Sequence, residues 1–412
     1  MENRRVVITG LGSITPMALN TEEFWNGVKE GRCCVDEITR FDTEKFKTKL
    51  ACEVKDFDPT LYMDKKEARR MDRFTQFAIA ASKEAVEDSK LNLEVEDAER
   101  IGVIIGSGIG GIETFEREHS KYMDRGPGRI SPLTIPMMIA NIVAGNVAIK
   151  YGAKGICTTV VTACASGTNS IGEAFRTIKY DLADVMISGG SEASITPFAI
   201  GGFENMTALS FSQDKTRASI PFDKERDGFV MGEGAGIIIL EELSHALNRG
   251  AKIYAEIIGY GATCDAYHIT SPALDGMGAM RAMKLAIKEG NIDKDELSYI
   301  NAHGTSTPYN DKLETLAIKN LLGDKAKDVP ISSTKSMIGH LLGASGAVES
   351  IATIKSLEEG FIHPTAGFKV PDEECDLDYV PNVGRKAELK YALCNSLGFG
   401  GHNASLLFKK YE

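Results

Sequence analysis

The chain has 412 residues, of which 43% are hydrophobic and 25% are charged, as in an ordinary globular protein. Its formal net charge of −11 argues against general nucleic-acid binding. No segment reaches the roughly 18 uninterrupted apolar residues that a membrane helix needs, and the opening residues, MENRRVVITGLGSITP, contain no apolar signal region.

In chain order, the first half of the sequence alternates strands and helices. The patterns predict a strand in VVITGLGSITP, a helix in ARRMDRFTQFAIAASKEAVEDS and a strand in RIGVIIGSGIGG. A strand, turn and helix follow around Cys164, and strands in DVMISGGSEASI and GAGIIILEEL close the half.

The second half repeats this order of elements. A strand in KIYAEIIGYGATCDAY, a helix in GAMRAMKLAIKEG and a strand in LSYINAHGTSTP precede a second strand–turn–helix, VPISSTKSMIGHLLGASGAVESIATIKSLEEG. Strands in YALCNSLGFGG and NASLLFKKY complete it. We therefore predict a duplicated α/β protein with halves at residues 1–250 and 251–412 and with mixed sheets covered by helices.

Cys164 is the first candidate functional residue. The β-branched run from Thr158 to Thr162 stops at the small residues of ACASG, and a helical composition follows. Small residues allow a sharp turn and the approach of a substrate. A thiol at a helix N-terminus is exposed to the positive end of the helix dipole, so we expect the thiolate to be favoured.

Two histidines lie in glycine-rich, turn-like segments: His303 in NAHGTSTP and His340 in STKSMIGHLLGASGA. One nucleophile and two imidazoles are suited to acyl transfer. A cysteine and a histidine also occur in cysteine hydrolases. Zinc is disfavoured because the three residues lie in separate segments without ligand spacing, and the eight cysteines contain no CxxC pair.

Four motifs, TACASG, NAHGTSTP, STKSMIGH and GFGG, occur in this order. Together with FDKERDGFVMGEGAG (222–236) and DAYHITSP (265–272), they resemble the β-ketoacyl-acyl-carrier-protein synthases of the thiolase-like superfamily over essentially the whole chain. The elongating members of that family, which act in bacterial type II fatty acid synthesis, use one cysteine and two histidines. Initiating members have asparagine at the second histidine position, which is His340 here.

The resemblance implies a thiolase-like α/β fold of five layers, α-β-α-β-α. It implies catalytic roles for Cys164, His303, His340, Lys335 and Phe399. It implies substrate contacts by Thr305, Thr307, Ile109, Phe203 and Thr270, and supporting roles for Glu314, Glu349 and Asp311. Positions that hold a structural monovalent cation in some relatives correspond to Asn301, Glu349, Asn395 and Ser396.

The resemblance further implies an activity, namely the decarboxylative condensation of an acyl chain with malonate, both carried by acyl carrier protein. No catalytic metal and no cofactor of its own is expected, because the carrier protein supplies the phosphopantetheine arm. Lys335 is expected to be a buried ammonium that orients the histidines, paired with Glu314 or near Glu349. We also expect a homodimer, located in the cytoplasm, where the cysteines would stay reduced.

Three other functions remain open from the sequence: a ketosynthase of polyketide or other specialised metabolism, a non-enzymatic partner subunit of such an assembly, and a cysteine thioesterase or hydrolase. The intact cysteine and histidines disfavour the second of these, and the second histidine and Lys335 disfavour the third. The core motifs do not separate fatty acid from polyketide synthesis.

A docking surface for the carrier protein is predicted in KKEARRMDR. Lys66, Arg69, Arg70 and Arg73 fall at i, i+3, i+4 and i+7, which would place them on one helix face. The resemblance adds Arg129 in GPGRISP. An ordinary solvated helix face is the alternative interpretation.

Overall fold

The computed structural model describes residues 4–412, in which helices and strands alternate along the chain. The strands are β1 (Val6–Ile14), β2 (Asp36–Glu37), β3 (Leu50–Ala51), β4 (Ile101–Gly106), β5 (Cys157–Thr158), β6 (Val185–Glu192), β7 (Gly234–Glu242), β8 (Ala255–Cys264), β9 (Tyr299–Asn301), β10 (Ile331–Ser332), β11 (Phe361–Ile362), β12 (Arg385–Lys386), β13 (Tyr391–Gly398) and β14 (His402–Lys410). The helices are α1 (Thr21–Lys29), α2 (Lys65–Ala68), α3 (Arg73–Ser89), α4 (Ile112–Arg125), α5 (Thr134–Met138), α6 (Ile142–Tyr151), α7 (Ser166–Lys179), α8 (Pro197–Asn205), α9 (Leu243–Asn248), α10 (Met277–Gly290), α11 (Pro308–Leu322), α12 (Lys335–Ile338) and α13 (Ser345–Glu359).

The strand order confirms the predicted duplication. Within residues 4–412, ten strands form one sheet in the order β10-β9-β13-β14-β8-β1-β7-β6-β4-β5. Read outward from the centre, the two halves have the same order and directions of strands. The first half runs β1, β7, β6, β4, β5, and the second runs β8, β14, β13, β9, β10. The two halves join where β1 pairs antiparallel with β8.

The helices confirm the five-layer α/β class. The central helices α7 and α13 contact each other and contact strands of both halves. Helices α3 and α6 cover the outer face of the first half, and α10, backed by α11, covers the second. Both α7 and α13 are largely buried, because they are enclosed between the two halves of the sheet.

Two predicted elements differ from the sequence interpretation. The helix predicted from Ala68 begins only at Arg73, because Asp72 caps α3 through a hydrogen bond from the Phe74 N–H (3.3 Å). The strand predicted up to Thr162 ends at Thr158.

A matching close approach occurs in each half between the first strand and its outer helix. A Cβ added to Gly12 in β1 would collide with the carbonyl oxygen of Ala81 in α3. A Cβ added to Gly261 in β8 would collide in the same way with the carbonyl oxygen of Ala282 in α10. Glycine on the strand and alanine on the helix therefore set the spacing of the outer layers.

Substitution of Gly261 by alanine should destabilise the protein by about 1–3 kcal/mol, because the backbone of α10 must move to admit the methyl group. The control is Gly202→Ala in α8, where nothing lies within 4 Å of the added Cβ. That control should be neutral or stabilising by up to about 1 kcal/mol, because alanine has the higher helix propensity. Denaturant midpoints measure both, and a wild-type midpoint for Gly261→Ala would show that the approach is not tight.

Candidate active site

Cys164 lies in a tight turn at the start of central helix α7. Residues Ala163–Ala165 form a single 3-10 turn, and Ala163 has a φ of 50°, in the left-handed region that non-glycine residues rarely occupy. The Ser166 hydroxyl accepts a hydrogen bond from the Thr162 N–H (2.9 Å) and donates one to the Ala163 carbonyl (2.7 Å). The turn thus places the thiol at the helix N-terminus, where the sequence predicted it.

The protonation state of Cys164 differs from the expectation. Burial raises the pKa of its thiol to about 12, and the nearby Glu192 carboxylate also raises it. The Lys335 ammonium and the backbone N–H of Phe399 lower it. The helix N-terminus was expected to favour the thiolate, but the desolvation of an anion in this pocket outweighs that effect, and the net pKa lies above the ordinary cysteine value.

Lys335 and Glu349 form a buried ion pair beside His303. The Lys335 Nζ lies 2.5 Å from Glu349 Oε1, 2.6 Å from the His303 carbonyl oxygen and 3.3 Å from His303 Nδ1. All three side chains are at most 2% exposed. Of the two predicted partners of Lys335, the structure has Glu349; the pairing with Glu314 is wrong.

His340 is held by the turn that leads into the second central helix. Its Nδ1 lies 2.8 Å from the Ser345 hydroxyl and accepts a hydrogen bond from the Leu342 N–H (3.3 Å). Its backbone N–H donates to the Val230 carbonyl (2.7 Å). The His303 and His340 rings meet edge to face, with centroids 5.3 Å apart.

These contacts fix the tautomer of both histidines. Burial, followed by the Lys335 charge, holds the pKa of His303 and of His340 well below the ordinary histidine value, so both rings are neutral. In each ring Nδ1 faces a donor, Lys335 in one and the Leu342 N–H in the other. The proton of each ring therefore resides on Nε2, which is left to donate to a bound substrate.

Glu314 and Asp311 hold the loop that carries His303. The Glu314 carboxylate accepts the N–H groups of His303 and Gly304, both at 2.8 Å, and burial raises its pKa to about 7. Asp311 accepts the Ser306 N–H (3.2 Å). The predicted supporting residues thus act on the backbone of this loop.

Thr305 and Thr307 lie in the same loop, just before α11. Their hydroxyls are 2.9 Å apart. Thr305 is buried and Thr307 is half-buried, and the predicted contact with substrate stays a prediction.

Phe399 and Phe203 lie on the apolar side of the site. Phe203 is 6.3 Å from Phe399 and 5.5 Å from Phe229, ring centroid to centroid, and Phe229 is 5.1 Å from the His340 ring. Cys164 belongs to the same buried apolar cluster. Gly400 and Gly401, with φ of 85° and 75°, allow the chain to turn directly after Phe399.

Thr270 and Ile109 lie in loops that this cluster does not include. Thr270 is in an exposed loop that meets the Phe399 loop, because the Gly400 N–H donates to the Ile269 carbonyl (2.8 Å). Ile109 follows β4, and 39% of its surface is exposed. Both predicted substrate contacts therefore stay predictions.

Of the four residues of the predicted cation site, Glu349 pairs with Lys335, and all four form hydrogen bonds with one another or with other residues. The Asn395 oxygen accepts from Ser405 (2.7 Å), and the Ser396 hydroxyl pairs with Thr168 (2.6 Å). Glu349 Oε2, by contrast, is buried without a hydrogen-bond partner in residues 4–412. Asn301 donates to the Glu349 carbonyl oxygen (3.2 Å). Oxygen ligands and one unpartnered carboxylate oxygen suit a hard cation.

The predicted docking helix is not continuous. Lys66, Arg69 and Arg70 are exposed, in and just after α2, and Arg129 is exposed in a separate 3-10 turn. Arg73 was wrongly assigned to the same face. Its side chain is only 18% exposed and pairs with Glu233 at 2.9 Å, because the break between α2 and α3 turns it inward.

The sequence interpretation missed several contributors: Glu192, Phe229, Ser345 and Arg226. Arg226 holds the His303 loop from outside by donating to the carbonyl oxygens of Thr307 (3.3 Å) and Pro308 (3.1 Å). One available signal was a carboxylate, Glu192, at the end of an otherwise uncharged and fully buried strand. Such a residue needs compensating donors.

Residues 4–412 contain neither a membrane-spanning helix nor a metal-binding cluster. No helix there is long and apolar enough to cross a membrane. No group of three or more His, Cys, Asp and Glu side chains there is arranged to hold a metal ion.

Comparison with known families matches both halves of the chain. The family model for the N-terminal domain of β-ketoacyl synthases matches residues 3–246, and that for the C-terminal domain matches residues 254–369. The chain belongs to the β-ketoacyl synthase family. This confirms the resemblance seen in the sequence.

Curated relatives of this synthase family match over the full length. The chain is 54% identical to 3-oxoacyl-[acyl-carrier-protein] synthase 2 of Synechocystis, covering 100% of this chain and 99% of the relative. It is 53% identical to the protein of that name from Staphylococcus aureus, with the same coverage.

Solved ketosynthases have the same fold. A type II polyketide ketosynthase, solved with its acyl carrier protein and bound to the hexaketide, is 37% identical at a TM-score of 0.93, covering 99% of this chain and 100% of that one. A β-ketoacyl synthase from Burkholderia phymatum is 34% identical at a TM-score of 0.91, again covering 99% of this chain and 100% of that one.

The raised pKa of Cys164 predicts how its alkylation depends on pH. The rate of reaction with iodoacetamide should rise about tenfold per pH unit between about pH 7 and 9, because the thiolate fraction rises by that factor below the pKa. Peptide mass spectrometry separates Cys164 from the exposed Cys33, Cys157 and Cys264. A plateau in this interval would show a pKa near or below 8.

Proposed function

We propose that this chain is a 3-oxoacyl-[acyl-carrier-protein] synthase. It condenses an acyl chain with malonate, each carried as a thioester on acyl carrier protein, and extends the chain by two carbons. One observation supports this most strongly: two neutral histidines with free Nε2–H donors lie side by side at the pocket of a buried cysteine.

In the first half-reaction the sulfur of Cys164 attacks the acyl thioester, and its proton passes to the departing pantetheine sulfur. The tetrahedral oxyanion needs preorganised donors. The backbone N–H groups of Cys164 and Phe399 both stabilise negative charge at the Cys164 sulfur, so they lie close enough to serve. The product is an acyl-enzyme.

In the second half-reaction malonyl-carrier protein loses carbon dioxide and becomes an enolate. The Nε2–H groups of His303 and His340 donate to the enolate oxygen. The enolate carbon attacks the acyl carbon, the bond to Cys164 breaks, and the thiolate takes up one proton. Neutral donors are suited to this step, because they stabilise the negative charge without protonating the carbon.

The chemistry needs no metal or redox cofactor bound to the synthase, since the phosphopantetheine arm arrives with the carrier protein. This agrees with a solved relative at 37% identity, which is a ketosynthase in complex with its acyl carrier protein.

For the cation site we propose that a structural monovalent ion binds Glu349 Oε2. Its role would be to neutralise that oxygen, outside the condensation itself.

Fatty acid synthesis is supported over a polyketide pathway by the level of identity. The curated 3-oxoacyl-[acyl-carrier-protein] synthase 2 relatives are 53–54% identical, whereas the polyketide ketosynthase is 37% identical. A cysteine hydrolase has no use for two histidines that both face the same substrate oxygen.

We further propose that the enzyme is a cytoplasmic homodimer with halves at 1–250 and 251–412. The edge strand β5 is exposed, and exposed apolar residues lie near it in sequence: Leu133, Ile135, Ile139, Ile149, Ile156 and Val161. A second copy would cover such a surface. Sedimentation velocity at micromolar concentration tests the dimer.

Removal of the nucleophile tests the proposed function. In Cys164→Ala, condensation of acyl- with malonyl-carrier protein should be lost. In Cys164→Gln it should also be lost, but carbon dioxide release from malonyl-carrier protein should persist, because the side chain resembles an acylated thiol and both histidines remain. Mass spectrometry of the carrier-bound product measures the first activity, and labelled carbon dioxide measures the second.

The matched control is the exposed Cys33→Ala, which should condense at the wild-type rate. Full condensation by either Cys164 variant would contradict the assignment of the nucleophile. Release of free acid by the wild type, without any need for malonyl donor, would indicate a hydrolase instead.

Charge reversal tests the docking surface formed by Lys66, Arg69, Arg70 and Arg129. The double variant Arg69→Glu/Arg70→Glu should raise the KM for carrier-bound substrate, while small pantetheine thioesters still acylate Cys164 at the wild-type rate. The reason is that rim charges act on association, and the difference should shrink at high salt.

The control is the double variant Lys284→Glu/Lys288→Glu, which makes the same charge change on the exposed face of α10, away from this surface. It should leave the KM for carrier-bound substrate and the rate with small thioesters unchanged. An unchanged ratio between carrier-bound and free thioesters in the Arg69/Arg70 variant, at all salt concentrations, would identify the patch as an ordinary solvated surface.

A further inference from the structure

Glu192 is a fully buried carboxylate at the end of β6 that the proposed reaction does not use. Its Oε2 accepts the N–H groups of Gly108 (2.7 Å) and Gly343 (3.1 Å). Its Oε1 accepts the Ser107 hydroxyl (3.1 Å) and the Ile109 N–H (3.3 Å). The Ser194 hydroxyl also donates to Oε1 (3.5 Å). Within residues 4–412 all donors to this carboxylate are neutral, and burial raises its pKa above the ordinary glutamate value.

The duplication gives this carboxylate a counterpart in the site. The turn Leu342–Ala344 before α13 corresponds to Ala163–Ala165 before α7, so Gly343 takes the place of Cys164. Leu342 and Ala163 have matching positive φ values, 47° and 50°.

The flanking strand ends correspond as well. Gly108 follows β4 by two residues, as His303 follows β9, and Glu192 ends β6 as Gly398 ends β13. The Glu192 carboxylate therefore occupies the first half's equivalent of the catalytic pocket.

Glu192 joins two loops that lie beside the nucleophile turn. Gly108 and Ile109 belong to the loop after β4, and a Cβ on Gly108 would lie 3.3 Å from the Ala163 carbonyl oxygen in the Cys164 turn. Gly343 directly follows Leu342, whose N–H sets the tautomer of His340. Movement of the carboxylate would therefore displace the His340 turn and the Ile109 loop together.

We propose that Glu192 is a positioning residue of the condensation, which acts through the Leu342–Gly343 turn to hold His340 and through Gly108 and Ile109 to hold the loop beside Cys164. This inference rests on the proposed function for its effect on the reaction. The contacts themselves do not depend on it.

The charge of Glu192 has a second consequence at Cys164. The titratable groups that face the thiol are Lys335, Glu192 and the neutral His303 and His340; Lys335 lowers the pKa of the thiol, and Glu192 raises it. Removal of the Glu192 charge should therefore increase the thiolate fraction at any given pH.

Glutamine cannot replace this carboxylate without loss. All five neighbouring groups donate, whereas an amide accepts on one atom and donates on the other. In Glu192→Gln the side-chain NH2 therefore faces other donors. These are either the N–H groups of Gly108 and Gly343 or the Ser107 hydroxyl and the Ile109 N–H. Aspartate keeps the charge but is one methylene too short to reach both sides.

The experiment measures two rates in each variant: release of carbon dioxide from malonyl-carrier protein, and alkylation of Cys164 by iodoacetamide against pH. In Glu192→Gln, decarboxylation should fall at least about tenfold, since a displacement of about 1 Å can cost about 10²-fold. Alkylation should be faster than in the wild type at each pH, because loss of the Glu192 charge lowers the pKa of the thiol. In Glu192→Asp, decarboxylation should fall while alkylation stays at the wild-type rate.

The matched control is Glu84→Gln. Glu84 is likewise a carboxylate whose donors are neutral, among them the N–H groups of Ser13 (2.8 Å) and Thr21 (2.7 Å), but it lies beside β1, away from Cys164. It should lose stability without changing either rate. If alkylation is accelerated equally in the glutamine and aspartate variants, the cause is easier access of iodoacetamide to Cys164. That result would overturn the predicted effect of the Glu192 charge on the thiol.

Wild-type decarboxylation in both Glu192 variants would overturn the positioning role. If neither variant folds, Ser107→Ala removes one donor and keeps the charge, and it should slow decarboxylation about fivefold, the equivalent of one hydrogen bond. A wild-type rate there would equally overturn the proposal. Failure of the wild type itself to decarboxylate malonyl-carrier protein would count against the proposed function, while the alkylation comparison would still test the charge of Glu192.

Discussion

The buried ammonium of Lys335 is the interaction on which the rest of the site depends. It neutralises Glu349, binds the His303 carbonyl and faces His303 Nδ1. Burying an ion pair brings little net stability, but breaking one leaves an uncompensated charge and costs about 3–5 kcal/mol. The pair therefore holds the His303 loop. Burial, and after it the Lys335 charge, holds the pKa of both imidazoles low, so that both stay neutral.

The duplicated fold explains how a nucleophile and two donors from distant parts of the sequence come together. Central helices α7 and α13 lie against each other, and each begins after a strained 3-10 turn. One turn presents Cys164, and the other presents no side chain, because Gly343 stands at that position. The two equivalent pockets thus have different occupants: a substrate carbonyl in one, as proposed, and the Glu192 carboxylate in the other. Duplication followed by this divergence gives one reactive centre with a second, internally filled pocket that supports it.

The sequence predicted those features that depend on local pattern. The order of strands and helices, the turn at Cys164 and the two histidine loops all follow from periodicity and small-residue motifs. It did not predict features that depend on tertiary contact. The inward turn of Arg73 follows from a helix break one residue earlier and from the position of Glu233, far away in the chain.

The protonation state of Cys164 is a second feature of this kind. The helix N-terminus is visible in the sequence, whereas the burial that outweighs it is not. The choice of Glu349 over Glu314 as the partner of Lys335 has the same cause, since both carboxylates lie at plausible helical positions and only packing separates them.

A protonated thiol fits a cysteine that must be nucleophile and leaving group in one cycle. A low pKa would favour departure of the sulfur from the acyl-enzyme but weaken its attack, whereas a high pKa has the opposite effects. Lys335 and the Phe399 N–H favour the anion, and burial and Glu192 oppose it. The first half-reaction supplies a sulfur that can receive the Cys164 proton, so the resting enzyme does not need a standing thiolate. The opposing effects on Cys164 therefore suit both roles of the sulfur in the proposed cycle.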